Sequence, residues 1–190
     1  MSIIDSILQR RSIKLVQGPG PDEEQLDLIL RSAMCAPDHG RLRPWRFKLI
    51  RGADVVALGE LAIAANERAG SPLTEQKAAS TRNWLSKVPL LIAVACHLDH
   101  SNERIPQSER LLACGAAVTN ILNAAHALGL GAYWSTGLGT YTDEVPEALG
   151  FDALDYQFMG FVSVGTVIHK LGAPERPDPA DYVQDWHAAG

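Results

Sequence analysis

Leu90-Leu91-Ile92-Ala93-Val94-Ala95-Cys96 follows Pro89 as a nearly unbroken apolar run. A strand with one wet face alternates apolar and polar residues, whereas a run without alternation marks a strand covered on both faces. Downstream, residues 97–106 are polar and loop-like. A long helix is expected from about Gln107 to Leu128, with Gly129 where a C′ glycine belongs. Small residues at 113–117 prepare that helix for close packing against another helix or another subunit. Tyr133–Thr136 reads as a short strand entering a turn with Gly137 and Gly139. Residues 142–149 form a short helix, and Phe158–Val167 is a third strong strand whose end Gly165 interrupts.

Upstream, Trp45–Arg51 sets Trp45, Phe47 and Leu49 against Arg46, Lys48 and Arg51, a strand with one buried face. Residues 53–69 and about 74–87 are helices separated by Ser71-Pro72. Before them, Pro37-Asp38-His39-Gly40-Arg41-Leu42-Arg43-Pro44 breaks every regular period. Asp22 caps a further helix, with Gln25 in capping-box position and Leu26, Ile29, Leu30, Ala33 and Met34 on its apolar face. Gly18-Pro19-Gly20-Pro21 is a rigid turn. Residues 2–11 form the first helix, with Ile3, Ile4, Ile7 and Leu8 on one face. Strands and helices interleave, so helices and sheet share a single domain, residues 1–190.

Composition narrows the function. The 190 residues are 46% hydrophobic and 21% charged, ordinary for a globular chain, and long enough for one sizeable core. A net charge of −5 argues against nucleic acid and against an anionic membrane. The most apolar long segment, 111–130, carries Thr119, Asn120, Asn123 and His126 and reads as a buried helix rather than a span. The N-terminal residues lack a basic stretch followed by an apolar run, so no signal peptide is expected, and Cys35, Cys96 and Cys114 form no CxxC pair, so a reducing cytoplasm is expected.

Within this acidic chain, Arg10-Arg11-Ser12-Ile13-Lys14 concentrates three cations and a hydroxyl. Arg brings a fork of N–H donors, Lys a point charge, Ser an O–H and its own N–H, the donor set of a phosphate site. The same cations also complement the negative end of the first helix. His39 beside Asp38 reads alone as a surface histidine, His97 and His100 flank Asp99 without a third metal ligand, and no metal is expected. Asn120 and Asn123 suit helix bridging.

Taken in order, the motifs resemble the FMN-dependent nitroreductase family. They are Arg10-Arg11-Ser12, Ala36-Pro37-Asp38-His39 with Pro44-Trp45, and Trp134-Ser135-Thr136-Gly137 after an Ala-rich helix. The length and the Ala-Pro-Asp-His segment are most similar to its compact YdjA-like branch. The resemblance implies an α+β nitroreductase-like fold with a central, mostly antiparallel sheet flanked by helices. It also implies an intertwined homodimer with FMN at the subunit interface. It places Arg10, Arg11 and Ser12 at the FMN phosphate and ribityl chain, and Lys14 at the pyrimidine edge. Cys35 and His39 fall on the stretch that reaches the partner's flavin, and Trp134, Ser135 and Thr136 on the turn lining the ring. Lys170 matches a basic position that some members use for the phosphate. The implied activity is a ping-pong exchange, hydride passing from NAD(P)H through flavin N5 to nitroaromatic or quinone-like acceptors, with no catalytic side chain required. The chain departs from its branch at Cys35 and Ser135, where Arg is usual, and at Arg43, where Gln is usual. Those departures leave open a flavoenzyme specialised for one metabolite, or a flavin-storage protein. The tail 170–190 carries Tyr182, Val183 and Trp186 among its prolines and is expected to pack on the partner subunit.

Overall fold

The computed structural model describes residues 2–169, 171–172 and 174–188. A five-stranded sheet is built around its last strand, β5 (Tyr156–Val167). β3 (Leu90–His97) pairs with one side of it, Leu90 opposite Val164, and β4 (Leu130–Ser135) also pairs with it, Leu130 opposite Thr166. β2 (Trp45–Arg51) extends the sheet beyond β3, and β1 (Val16–Gln17) meets the end of β5. Every pairing is antiparallel.

The apolar run behaves as its pattern requires. All of Leu90–Cys96 is buried, with alternate residues feeding two separate cores. Leu90, Ile92, Val94 and Cys96 face α2 (Glu23–Met34) and α5 (Gln107–Ala127). Leu91, Ala93 and Ala95 face α3 (Ala53–Arg68) and α4 (Glu75–Leu85). Each fully buried Leu, Ile or Val contributes about 1.5–3 kcal/mol of transfer free energy, so this strand anchors both layers.

Local signals set the element ends. Asp22 and Gln25 close a capping box on α2. Gly129 adopts φ +79° just past α5, as a C′ glycine should. Ala113, Cys114 and Ala117 are buried, and the neighbouring Asn120 Nδ2 donates to the Ser32 carbonyl of α2 at 2.9 Å, a helix bridge. A further short helix, α6, spans Glu144–Ala148.

Several expectations need correction. α1 is Ile3–Gln9, two residues shorter at its C-terminal end, and none of its residues is buried. The Arg10 cluster therefore follows the helix in extended backbone instead of closing its last turn. In β2, Trp45 and Phe47 pack on one core, but Leu49 is exposed and Ile50 enters the other core. A sheet with helices on both faces offers cover to either parity, and local helix placement decides which residue receives it. Met34 is half-exposed, its sulfur accepting from Trp45 Nε1 at 3.3 Å. β4 begins at Leu130, before the predicted start. β1 escapes any periodicity signal because it is two residues long. Gly165 does not end β5. It stays in the ladder opposite Gly131, where a Cβ would meet the Gln17 carbonyl and Pro89 at 2.9 Å.

Candidate active site

Beyond α1 the chain is stitched to the sheet. Ile13 N–H donates to the Ala132 carbonyl of β4 at 2.9 Å, and Trp84 Nε1 of α4 donates to the Lys14 carbonyl at 3.0 Å. Lys14 Nζ stands 4.8 Å above the same indole ring, a cation–π contact that positions the charge. Lys14, Trp84, Ser135, Thr136 and Gly137 line a cleft of about 230 Å³.

The far wall of that cleft exists because of a glycine. β3 and β5 lose register between Val94 and Ala95, and Gly160 there takes φ +98°. A Cβ at Gly160 would lie 2.3 Å from the Ser135 carbonyl oxygen. Only glycine allows the Ser135–Thr136 backbone so close to β5. Ser135 Oγ accepts from Gly137 N–H at 3.1 Å and Thr140 Oγ1 donates to the Gly137 carbonyl at 2.7 Å, which holds the turn open toward the cleft. Trp134 turns away: its indole packs against the α2–α5 core and donates to the Met159 carbonyl at 2.9 Å.

The two arginines before Lys14 meet the C-terminal segment. Arg11 Nη1 donates to the Gly172 carbonyl at 2.8 Å, and Arg176 Nη2 donates to the Arg10 carbonyl at 2.6 Å. Arg11, Ser12 and Arg176 border one open depression, with Glu175 on its rim. Arg10 Nη1 is buried and has no hydrogen-bond partner among the described residues. Arg110 Nε and His126 Nε2 share that condition, and His126 borders a pocket with Gln9, Arg11 and Ile13. A buried guanidinium donor without a described partner, in the same run as Arg11 and Ser12 of the depression that Arg176 borders, fits an anion such as a phosphate.

The remaining predicted residues lie elsewhere in the chain. Cys35, exposed at the end of α2, borders a groove of about 610 Å³ with the N-cap Ser2 and Ile3, Ser6 and Ile7 of α1 and Asn120 and Asn123 of α5. His39 Nδ1 lies 2.6 Å from Glu109 of α5. Arg43 adopts φ +47°, its N–H donating to the Asp38 carboxylate at 2.6 Å and its carbonyl accepting from Arg46 at 2.8 Å. None of Cys35, His39 and Arg43 lines the Lys14 cleft of its own chain. Lys170 lies outside the described residues.

Sequence reasoning missed Arg176 and Trp84. Arg176 sits in a proline-rich tail with no period to read, and Trp84 looks like any apolar helix residue until its indole meets Lys14. The two other thiols are structural. Cys96 and Cys114 are fully buried; Cys96 Sγ donates to the His97 carbonyl at 3.7 Å, and the neighbouring Cys96 together with burial pushes the Cys114 thiol far above the usual range. Among the described residues no cluster of His, Cys, Asp and Glu is arranged for a metal, and no helix is long and apolar enough to cross a membrane.

The nitroreductase family model matches residues 7–166. The chain belongs to the nitroreductase family. It is 32% identical over 190 residues to a protein of Escherichia coli K12 that carries the name putative NAD(P)H nitroreductase YdjA, covering 96% of this chain and 98% of that one. The fold matches a solved nitroreductase-like family protein from Bacillus cereus at TM-score 0.82, with 22% identity over 99% of this chain and 97% of the other. It also matches a structure from Desulfovibrio desulfuricans solved in complex with FMN, at TM-score 0.76 and 24% identity, covering 100% of this chain and 99% of that one. The family thus accounts for the antiparallel sheet and for the order of the motifs.

Proposed function

We infer that this nitroreductase-family chain is an FMN-dependent oxidoreductase that passes electrons from NAD(P)H to nitroaromatic or quinone-like acceptors in a ping-pong cycle. The observation that carries the reading is the buried Arg10 Nη1, without a partner among the described residues, in the run Arg10-Arg11-Ser12-Ile13-Lys14, whose Arg11 and Ser12 border a depression with Arg176 and whose Lys14 borders the cleft. Arg10, Arg11, Ser12 and Arg176 would hold the phosphate through charge-assisted hydrogen bonds. Lys14 supplies a fixed cation where the cofactor becomes more negative on reduction, and the Ser135–Thr136 turn presents backbone to the ring. When bound, FMN supplies the reversible two-electron chemistry, so no side-chain base or nucleophile is needed.

The functional unit on this reading is a homodimer. The exposed apolar face of α1 and the groove it forms with α2 and α5 support it, because contiguous apolar surface of that kind marks an interface. Pairing would carry Cys35 and His39 toward the partner's cleft. The tail divides its contacts: Gly172 and Arg176 bond their own chain, while Tyr182, Val183 and Trp186 are left exposed for the partner. A flavoenzyme dedicated to one metabolite is a second reading. Arg43 favours it, an exposed cation whose backbone Asp38 fixes in the left-handed region at φ +47°.

The absorption spectrum of the purified protein, before and after anaerobic NADPH or NADH, tests the proposal. Yellow protein that bleaches is expected. Colourless protein that takes up no FMN overturns it. Bleaching with nitroarene turnover no faster than that of free FMN selects the second reading.

A further inference from the structure

Lys14 is exposed, and among the described residues no Asp or Glu pairs with it or lines its cleft. A second cation, Lys77 of α4, borders the same cleft, as does Tyr141. An ammonium on a flexible four-carbon stem, facing a like charge, is drawn toward water. Trp84 opposes that by meeting the residue twice. Lys14 Nζ stands over the indole face, 4.8 Å from its centroid, and the indole N–H donates to the Lys14 carbonyl at 3.0 Å. One contact fixes the backbone from which the side chain springs, and the other fixes its charged end.

The seat is rigid because it belongs to the core. Trp84 is 9% exposed and lies in the cluster that Val55, Leu58 and Leu85 share. α4 closes on α3 at Gly59, where a Cβ would lie 2.5 Å from Leu85 Cδ1, and Arg82 of α4 bonds Glu60 of α3 at 2.7 and 2.8 Å. Hydrophobic packing thus places the ring that carries the cation.

A π face holds a cation in a way that a carboxylate cannot. A carboxylate would pair with Lys14 and cancel most of its field at a neighbouring anion. The ring quadrupole attracts the ammonium and leaves its net charge intact. We propose that Trp84 is a positioning residue. It holds Lys14 without neutralising it, so the ammonium favours reduced over oxidised FMN and raises the reduction potential of the bound flavin. The inference rests on the oxidoreductase reading above and adds the residue that sets the redox poise of that site. Hydride carries two electrons and a proton out of the dihydronicotinamide, which is left as the oxidised cation. The negative charge this brings to the flavin ring is offset by Lys14, and Trp84 takes part in no bond change.

Potentiometric titration of the FMN-loaded protein, with fluorescence titration of the flavin-free protein by FMN, measures the preference for reduced over oxidised flavin. Trp84→Leu should lower that preference about tenfold, a potential about 30 mV more negative for a two-electron couple. Lys14→Met should lower it at least as far. Both substitutions together should do no more than Lys14→Met alone, because Trp84 acts through the ammonium. Trp84→Phe keeps an aromatic face and should retain most of the preference. An unchanged potential in Trp84→Leu overturns the inference. So does an equal further fall when Trp84→Leu is added to Lys14→Met, the result expected of a ring that only supports the fold. A proton–nitrogen correlation spectrum of the flavin-free protein reads the contact itself, through the indole N–H signals of the four tryptophans. The signal lost in Trp84→Phe should be displaced in Lys14→Met, a substitution at an exposed position. A signal that stays in place overturns this inference alone, even where Trp84→Leu fails to fold. Failure of the wild-type protein to take up FMN overturns the oxidoreductase reading and this inference with it.

Discussion

The strand β3 and the helix α1 spend similar residues in opposite ways. Leu91, Ile92 and Val94 are fully buried, whereas Ile3 is 80% and Ile4 64% exposed. β3 lies between two helical layers that its own chain supplies, so its burial is complete within one subunit. α1 is held at its ends, by a Ser2–Asp5 capping box and by the stitching of Ile13 to β4, and its apolar face touches almost nothing. Hydrophobic residues inside one element thus report the stability of the subunit, and in the other they leave an apolar surface uncovered within one subunit, which the proposed homodimer would bury. The candidate site sits at the junction, immediately after α1, so the least self-sufficient element positions the most charged stretch.

The comparison is sharpened by substitutions on each side. Ile92→Ala should cost about 2–5 kcal/mol of stability at any protein concentration, read by denaturant unfolding. Ile3→Asp with Ile4→Asp should leave the fold of the separated subunit within about 0.5 kcal/mol, since exposed positions tolerate charge. It should nevertheless shift the protein from dimer to monomer in analytical ultracentrifugation; a variant that stays dimeric would place the interface elsewhere. Gly160→Ala should lose about 1–3 kcal/mol, because it combines left-handed backbone with a clash on the Ser135 carbonyl, and it should disturb the Lys14 cleft more than the dimer. Arg176→Gln should weaken FMN binding several-fold, on the order of one charge-assisted hydrogen bond, while leaving riboflavin, which lacks the phosphate, unaffected in fluorescence titrations.

The smallest effect concerns pH. Arg82 grips Glu60 with two hydrogen bonds of 2.7 and 2.8 Å and holds its carboxyl below the ordinary value of 4.5. A lowered carboxyl stabilises the fold above its unfolded value and loses that contribution as pH falls through the folded one. Melting curves should show wild type slightly above Glu60→Gln at pH 7, with the gap closing below pH about 4. A gap that widens on acidification would reverse the sign assigned to the pair.

Much of this architecture was legible in the residues. The run at 90–96, the Asp22 capping box, the C′ role of Gly129 and the irregularity of 37–44 all act over a few residues, and local chemistry decides them. Leu49 and Ile50 show where that reading stops. Alternation says that neighbours point apart, but which side is covered depends on where α2–α5 and α3–α4 come to rest. Within the site, Arg10, Arg11, Ser12 and Lys14 are adjacent in the chain and could be singled out as a cluster. Arg176 is more than 160 residues away from Arg10 and entered only through a hydrogen bond.

The sequence by itself determined which segments could be strand or helix, that one strand would be doubly covered, and which residues had the donors for an anion. Those properties follow from side-chain chemistry and from periods of two and 3.6 residues. Tertiary structure alone decided that Gly160 would admit the Ser135–Thr136 backbone, that Trp84 would fix Lys14, and that the tail would close on Arg10 and Arg11. Each of these joins residues far apart in the chain, and such contacts exist only after burial of the two cores has set the distances between them.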